Sequence, residues 1–185
     1  MNKQAAAVAA LAFGAVAAWS AQASVQVVGS QRAQQCMDAA FAGAASRAAV
    51  DWCSAALNEE ALTTRNRAGT LVNRGVIHMN RRDHERAMRD FDQAVVLAPA
   101  LGEARFNRGS ALIALNRWSE GVAEIEQGLK LGMRQPERAY YNRAIAREEL
   151  NDTRGAYLDY REAARLKPDW DLPRLELARF TVQAR

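Results

Sequence analysis

Histidine, cysteine and proline are scarce in this chain: two, two and four of 185 residues. Each shortage excludes something. His78 and His84 have no cysteine or acid cluster at ligand spacing, and they share no helix face, so no metal site is expected. Cys36 and Cys53 stand 17 apart, which is not the Cys-x-x-Cys spacing of a thiol-redox pair. No Gly-x-Gly phosphate loop occurs, and Ser30, Ser46, Ser54, Ser110 and Ser119 lack the context of a nucleophile elbow. Glu148 and Glu149 are adjacent, but neighbours on a helix point apart, and Glu59 and Glu60 read as a solvated helix end. With no catalytic group and no cofactor motif, the chain does not read as an enzyme. Charge of one sign is also lacking: 25 basic and 21 acidic residues are interspersed, for a net +4. A nucleic-acid binder would concentrate its basic residues on one face, so none is expected as a partner. Few prolines leave long helices possible, and Ala, Arg, Leu and Glu favour them.

Long apolar runs are limited to one. Lys3 precedes residues 5–18, which are apolar and alanine-rich with only Gly14 interrupting. Ala21, Gln22 and Ala23 then fit the small-x-small pattern of signal cleavage, placing the cut between Ala23 and Ser24. A membrane span needs about 20 apolar residues, so residues 1–23 read as a signal peptide. An uncleaved amphipathic or anchored N-terminus is the alternative. The mature chain is expected outside the cytoplasm, in a periplasm or secreted, with no stable membrane insertion. In an oxidising compartment an even cysteine count implies a Cys36–Cys53 disulfide.

What the chain has is a repeat. Asn-Arg pairs fall at 73–74, 107–108 and 142–143, in steps of 34 and 35. Each pair lies in a segment that splits into two helical patterns of about a dozen residues, apolar at three- and four-residue spacing. Residues 80–83, 116–119 and 151–153 read as the turns between them. Asp83, Ser119 and either Asp152 or Thr153 are the expected N-caps of the second helices. Such hairpins bury their apolar faces only by stacking.

These segments resemble the tetratricopeptide repeat. Its Ala-x-x-x-aromatic-x-x-Ala signature and closing proline match Ala87, Phe91, Ala94 and Pro99, and again Ala156, Tyr160, Ala163 and Pro168. The middle repeat departs from it: Gly121 and Gly128 replace both alanines, and no proline follows in place. The resemblance covers residues 68–168 and implies an all-α solenoid of antiparallel hairpins in a right-handed superhelix. The organisation is then a signal peptide (1–23), a degenerate hairpin (24–62), three repeats (63–168) and a capping helix (169–185). In the degenerate hairpin Cys36 falls in the column of Arg74, and Trp52 holds the acidic column. The disulfide is expected to replace packing there. Asp171 and Pro173 mark the start of the cap, with Leu172, Leu175, Leu177 and Phe180 as its apolar side.

Two columns bear on function. Arg74, Arg108 and Arg143 are followed sixteen residues later by Asp90, Glu124 and Asp159, so each hairpin is expected to close on an ion pair. The alternative places the arginines on a ligand. His78 stands in a column usually filled by a packing aromatic. The resemblance implies a concave groove lined by Val72, Asn73, Val76 and Met79, then Phe106, Asn107, Ser110 and Ile113, then Arg138, Tyr141, Asn142, Ile145 and Glu148. Apolar groups with an amide ladder suit an extended peptide or a partner helix. Family members that bind chaperone tails clamp two carboxylates, but only Asn107 and Arg138 match that clamp, with Val72 and Val76 where its lysine and asparagine would stand. The function implied is an exported scaffold that holds a protein or peptide partner, in cell-envelope assembly. A lipid- or glycan-binding envelope factor is the alternative, and an enzyme without a visible motif is the remaining rival.

Overall fold

In a computed structural model of the chain, residues 25–26 and 31–180 are described. Among them all regular secondary structure is helical, with nine helices and no strand. They are α1 (Gln31–Phe41), α2 (Arg47–Glu59), α3 (Thr64–Asn80), α4 (His84–Leu97), α5 (Gly102–Ala114), α6 (Trp118–Lys130), α7 (Pro136–Glu149), α8 (Thr153–Leu166) and α9 (Asp171–Leu177). Consecutive helices pair as hairpins. The first helices of the hairpins, α1, α3, α5 and α7, also touch in succession and form one layer of the stack. The expected signal segment lies outside the described residues.

Local chemistry sets the helix starts. Ser46, Thr63, Asp83 and Asp152 each accept a hydrogen bond from the backbone N–H three residues on, covering one of the unpaired amides of the first turn. Pro136 opens α7, where a missing N–H costs nothing. The expectation for Ser119 is corrected. α6 begins one residue earlier, at Trp118, and Arg117 precedes it without a side-chain cap. Arg117 instead grips Glu120 through two bonds of 2.7 and 2.6 Å.

The repeat signature fills the interior: Ala87, Phe91, Ala94, Ala156, Tyr160 and Ala163 are all buried. The middle hairpin solves the same problem differently. A Cβ on Gly128 would stand 2.9 Å from the Gly102 carbonyl oxygen and 3.1 Å from the Phe106 nitrogen. One on Gly121 would stand 2.9 Å from the Gly109 carbonyl oxygen and 2.5 Å from Ile113. The glycines that break the pattern face other glycines, so α5 and α6 approach backbone to backbone.

The flanks complete the stack. Cys36 and Cys53 are joined and fully buried between α1 and α2, with Cα atoms 4.7 Å apart. At the other end α9 packs on α8. Leu172, Leu177 and Phe180 meet the Tyr141–Tyr160 cluster, and Pro173 is buried. Leu175, expected on that apolar side, is instead 64% exposed. The helix ends at Leu177, and residues 181–185 lie outside the described part.

Candidate functional site

The arginine column faces the second helices. Arg74 binds Asp90 with two parallel bonds of 2.9 and 2.7 Å, and Arg143 binds Asp159 with 2.8 and 2.7 Å. Arg108 holds Glu124 at 3.1 and 2.6 Å. A planar guanidinium fits a carboxylate in this two-bond manner. Each arginine also reaches the preceding hairpin: Arg74 to Ser54 on α2, Arg108 to Asp92 on α4, and Arg143 to Glu126 on α6. The column therefore joins neighbouring hairpins as well as closing each one. The alternative, arginines turned to a ligand, is not what this geometry shows.

His78 is buried beside this column, its Nε2 3.9 Å from Asp90. Burial holds its pKa below the ordinary 6.5, and the nearby Asp90 and Asp83 carboxylates oppose that shift. The ring is a packing element. Three clefts of about 370, 380 and 330 Å³ open along the second helices, and all are lined by charged side chains such as Arg86, Asp92 and Asp51. Among the described residues no group of three or more His, Cys, Asp or Glu side chains could hold a metal ion. No described helix is long and apolar enough to cross a membrane.

The column expected to line a groove is built from α3, α5 and α7. Val72, Val76, Phe106, Ser110, Ile113, Arg138 and Tyr141 are buried there, while Met79 and Ile145 are half-buried. The three asparagines occupy equivalent positions but take different partners. Asn107 donates to the Glu103 carbonyl of its own helix at 2.7 Å. Asn142 donates across to the Ser110 hydroxyl at 2.9 Å, and that hydroxyl donates to the Phe106 carbonyl. Asn73 reaches outside the repeats. Its Oδ1 accepts from the Val25 amide at 2.6 Å, and its Nδ2 donates to the Val25 carbonyl at 2.9 Å. Val25 is buried in the main core cluster, and the Gln26 side chain accepts from Arg134 at 2.9 Å.

The third-repeat end of the column is covered by the C-terminal flank. Trp170 lies 4.8 Å from the Tyr141 ring, and Tyr160 lies 5.5 Å away, edge-on. Burial, with the Glu176 carboxylate adding to it, pushes the Tyr141 phenol up to about 12. Phe106 and Tyr141, expected as large rings on the groove surface, thus serve packing in this structure, at 1% and 2% exposure. Glu148 accepts from the Tyr160 hydroxyl at 2.6 Å and pairs with Arg179. Arg138 stacks over Trp170 at 5.4 Å, and among the described residues no carboxylate pairs with it. Burial lowers its pKa to about 10. Sequence reasoning missed Val25, Gln26, Arg134 and Trp170. The available signal was Val25, Val27 and Val28, a short β-branched stretch that suits an extended strand better than a helix.

Residues 68–101 and 137–169 match the family model described as the tetratricopeptide repeat. No curated protein matches the chain. Similar solved structures include the tetratricopeptide domain of OM64 from Arabidopsis, at 20% identity and TM-score 0.60, covering 63% of this chain and 96% of that one. The first such domain of Spaghetti, bound to an HSP90 peptide, aligns at 22% identity and TM-score 0.57, covering 60% and 88%. MamA aligns at 17% identity and TM-score 0.62 over 82% of each chain. The middle hairpin, with its facing glycines, falls outside the two matched stretches. The chain thus carries tetratricopeptide repeats at residues 68–101 and 137–169 and folds as an all-α solenoid of stacked hairpins.

Proposed function

We propose that this protein is an exported, non-catalytic scaffold whose concave face holds an extended segment of a protein partner in the cell envelope. The observation that carries the reading is Asn73. A fully buried amide offers its donor and its acceptor to the backbone of one residue, Val25, which belongs to none of the helices. This is how a side-chain amide reads peptide backbone regardless of sequence. Arg138 adds a buried charge with no carboxylate partner among the described residues, suited to an acidic group of the partner. The Spaghetti domain, of similar fold, was solved with a peptide bound. Export rests on the apolar run at residues 5–18 and the small-x-small site at residues 21–23, and the buried disulfide suits an oxidising compartment. The described clefts are charged rather than apolar, so nothing in them favours a lipid.

Capture from envelope extract by the immobilised chain tests the reading. Asn73→Ala with Arg138→Ala should lose the captured protein while keeping the helical circular-dichroism spectrum. Arg154→Ala, on exposed α8 surface, should retain it. Equal capture by all three chains would place the partner on another face. Cell fractionation tests export, and finding the unprocessed chain in the cytoplasm would exclude it.

A further inference from the structure

Val25 and Gln26 lie against the column of α3, α5 and α7, bonded to Asn73 and to Arg134. The backbone of Val25 is held at both its N–H and its C=O by one side chain, Asn73. Its side chain is 7% exposed, within the core cluster that includes Val72, Val76 and Phe106. The next residue is fixed by a different element: Arg134, in the turn between α6 and α7, bonds the Gln26 side chain. Backbone pairing, a buried apolar side chain and a neighbouring polar anchor are the three ingredients of peptide capture by a groove. The occupant belongs to the same chain, 48 residues before Asn73. Asn73 itself has no other reason to be polar, since it is fully buried on α3 and both of its bonds go to Val25.

We propose that residues 25–26 are a tethered occupant of the concave groove, and that an external extended peptide binds at Asn73 only by displacing them. This rests on the reading of the groove as a peptide site and adds its regulation. A segment of the same chain competes intramolecularly, so an external peptide must overcome its effective concentration. The external segment favoured by this geometry carries a β-branched residue where Val25 lies and a hydrogen-bond acceptor next to it. A partner that binds elsewhere on the stack would leave the occupant undisturbed.

The first test uses no partner. Hydrogen exchange on the chain isolated from its host cell should show the Val25 amide protected, and Asn73→Ala should raise its exchange rate at least tenfold. A fast-exchanging Val25 amide in the wild-type chain overturns the proposal, whatever the capture experiment shows. The second test uses a labelled synthetic peptide with the sequence of residues 24–30. It should bind the full-length Val25→Asp variant at least tenfold more tightly than wild type, and adding Asn73→Ala to that variant should abolish the gain. Equal binding to wild type and Val25→Asp, or binding to neither, overturns the displaceable occupant. Protection of Val25 that rises with chain concentration, together with a dimer on size exclusion, overturns the tether in favour of exchange between two chains. Asn73→Ala must retain its thermal transition for the result to stand. If it does not, Asn73→Ser, which keeps one hydrogen-bonding group, takes its place and should give an intermediate exchange rate.

Discussion

Replacing Gly128 by alanine should destabilise the protein, although it restores the repeat pattern and improves helix propensity. Two effects oppose each other. In a helix interior alanine is favoured over glycine by about 1 kcal/mol. Against this, the new Cβ would stand 2.9 Å from the Gly102 carbonyl oxygen and 3.1 Å from the Phe106 nitrogen. Both neighbours are backbone atoms of α5, so no side-chain rotamer can relieve the contact and the helices must separate. Overpacking of this kind costs roughly 1–3 kcal/mol, and the backbone contacts put Gly128 in the upper part of that range. The net loss is then about 1–2 kcal/mol, or a fall in Tm of roughly 3–6 °C for a protein of this size. Thermal unfolding followed by circular dichroism, with a urea midpoint as a second measure, reads the effect. Gly102→Ala meets the Gly128 carbonyl oxygen at 2.8 Å from the opposite side, so the double variant should cost less than the sum of the singles once the gap has opened. A rise in Tm for Gly128→Ala would refute the backbone-to-backbone approach. Helix propensity alone would then govern the site.

Arg74→Ala should cost more than Arg143→Ala, by about 1 kcal/mol or more in urea unfolding. Removing one partner of a buried pair strands the other charge, and Asp159 keeps Arg147 at 2.9 Å, whereas among the described residues Asp90 keeps only His78 at 3.9 Å. His78 should give the protein an acid-side loss of stability. Its folded pKa lies below the ordinary 6.5, so the unfolded chain binds the proton first, and stability falls as pH drops from about 6.5 to the folded value. Urea midpoints at pH 7 and pH 5 should differ less for His78→Phe than for wild type, and an unchanged difference would show that the ring does not titrate in this way. Replacing Cys36 and Cys53 together by alanine should cost about 3 kcal/mol, the loop-closure value for a separation of 17. Thiol labelling of the denatured, unreduced wild-type chain should find no free cysteine.

The helices and their pairing were legible because they depend on short-range rules. The spacing of small and aromatic residues fixed which faces meet, and Asp83 and Asp152 capped the helices that the turns announced. Ser119 misled because its neighbours offered an ion pair, and Arg117 with Glu120 organised the turn without a cap. The apparent weakness of the middle repeat had a physical reason that a single column cannot display. Gly121 and Gly128 read as losses until Gly109 and Gly102 are seen facing them. Likewise the sixteen-residue offset found Asp90, Glu124 and Asp159, but the second contacts of the arginines, Ser54, Asp92 and Glu126, follow from how hairpins stack and not from any one hairpin.

The concave column was harder to read because equivalence in a repeat is equivalence of backbone, not of surroundings. Asn73, Asn107 and Asn142 hold the same position on α3, α5 and α7, yet one turns to its own helix, one to the first helix of the preceding hairpin and one to a residue outside the repeats. What separates them is the neighbour each amide finds. Ser110 stands within reach of Asn142, and the Glu103 carbonyl is available one turn before Asn107. Asn73 lies where residues 25–26 cross, and the flank decides its role. The same holds at the far end, where Trp170 and α9 convert Tyr141 from a groove residue into a core residue. A repeat array repeats its core and its charge ladder, because every hairpin must close and stack on the next. The face formed by α3, α5 and α7 is set by the segments that do not repeat: in this protein Val25 is held by Asn73 there, and Trp170 with α9 packs against Tyr141.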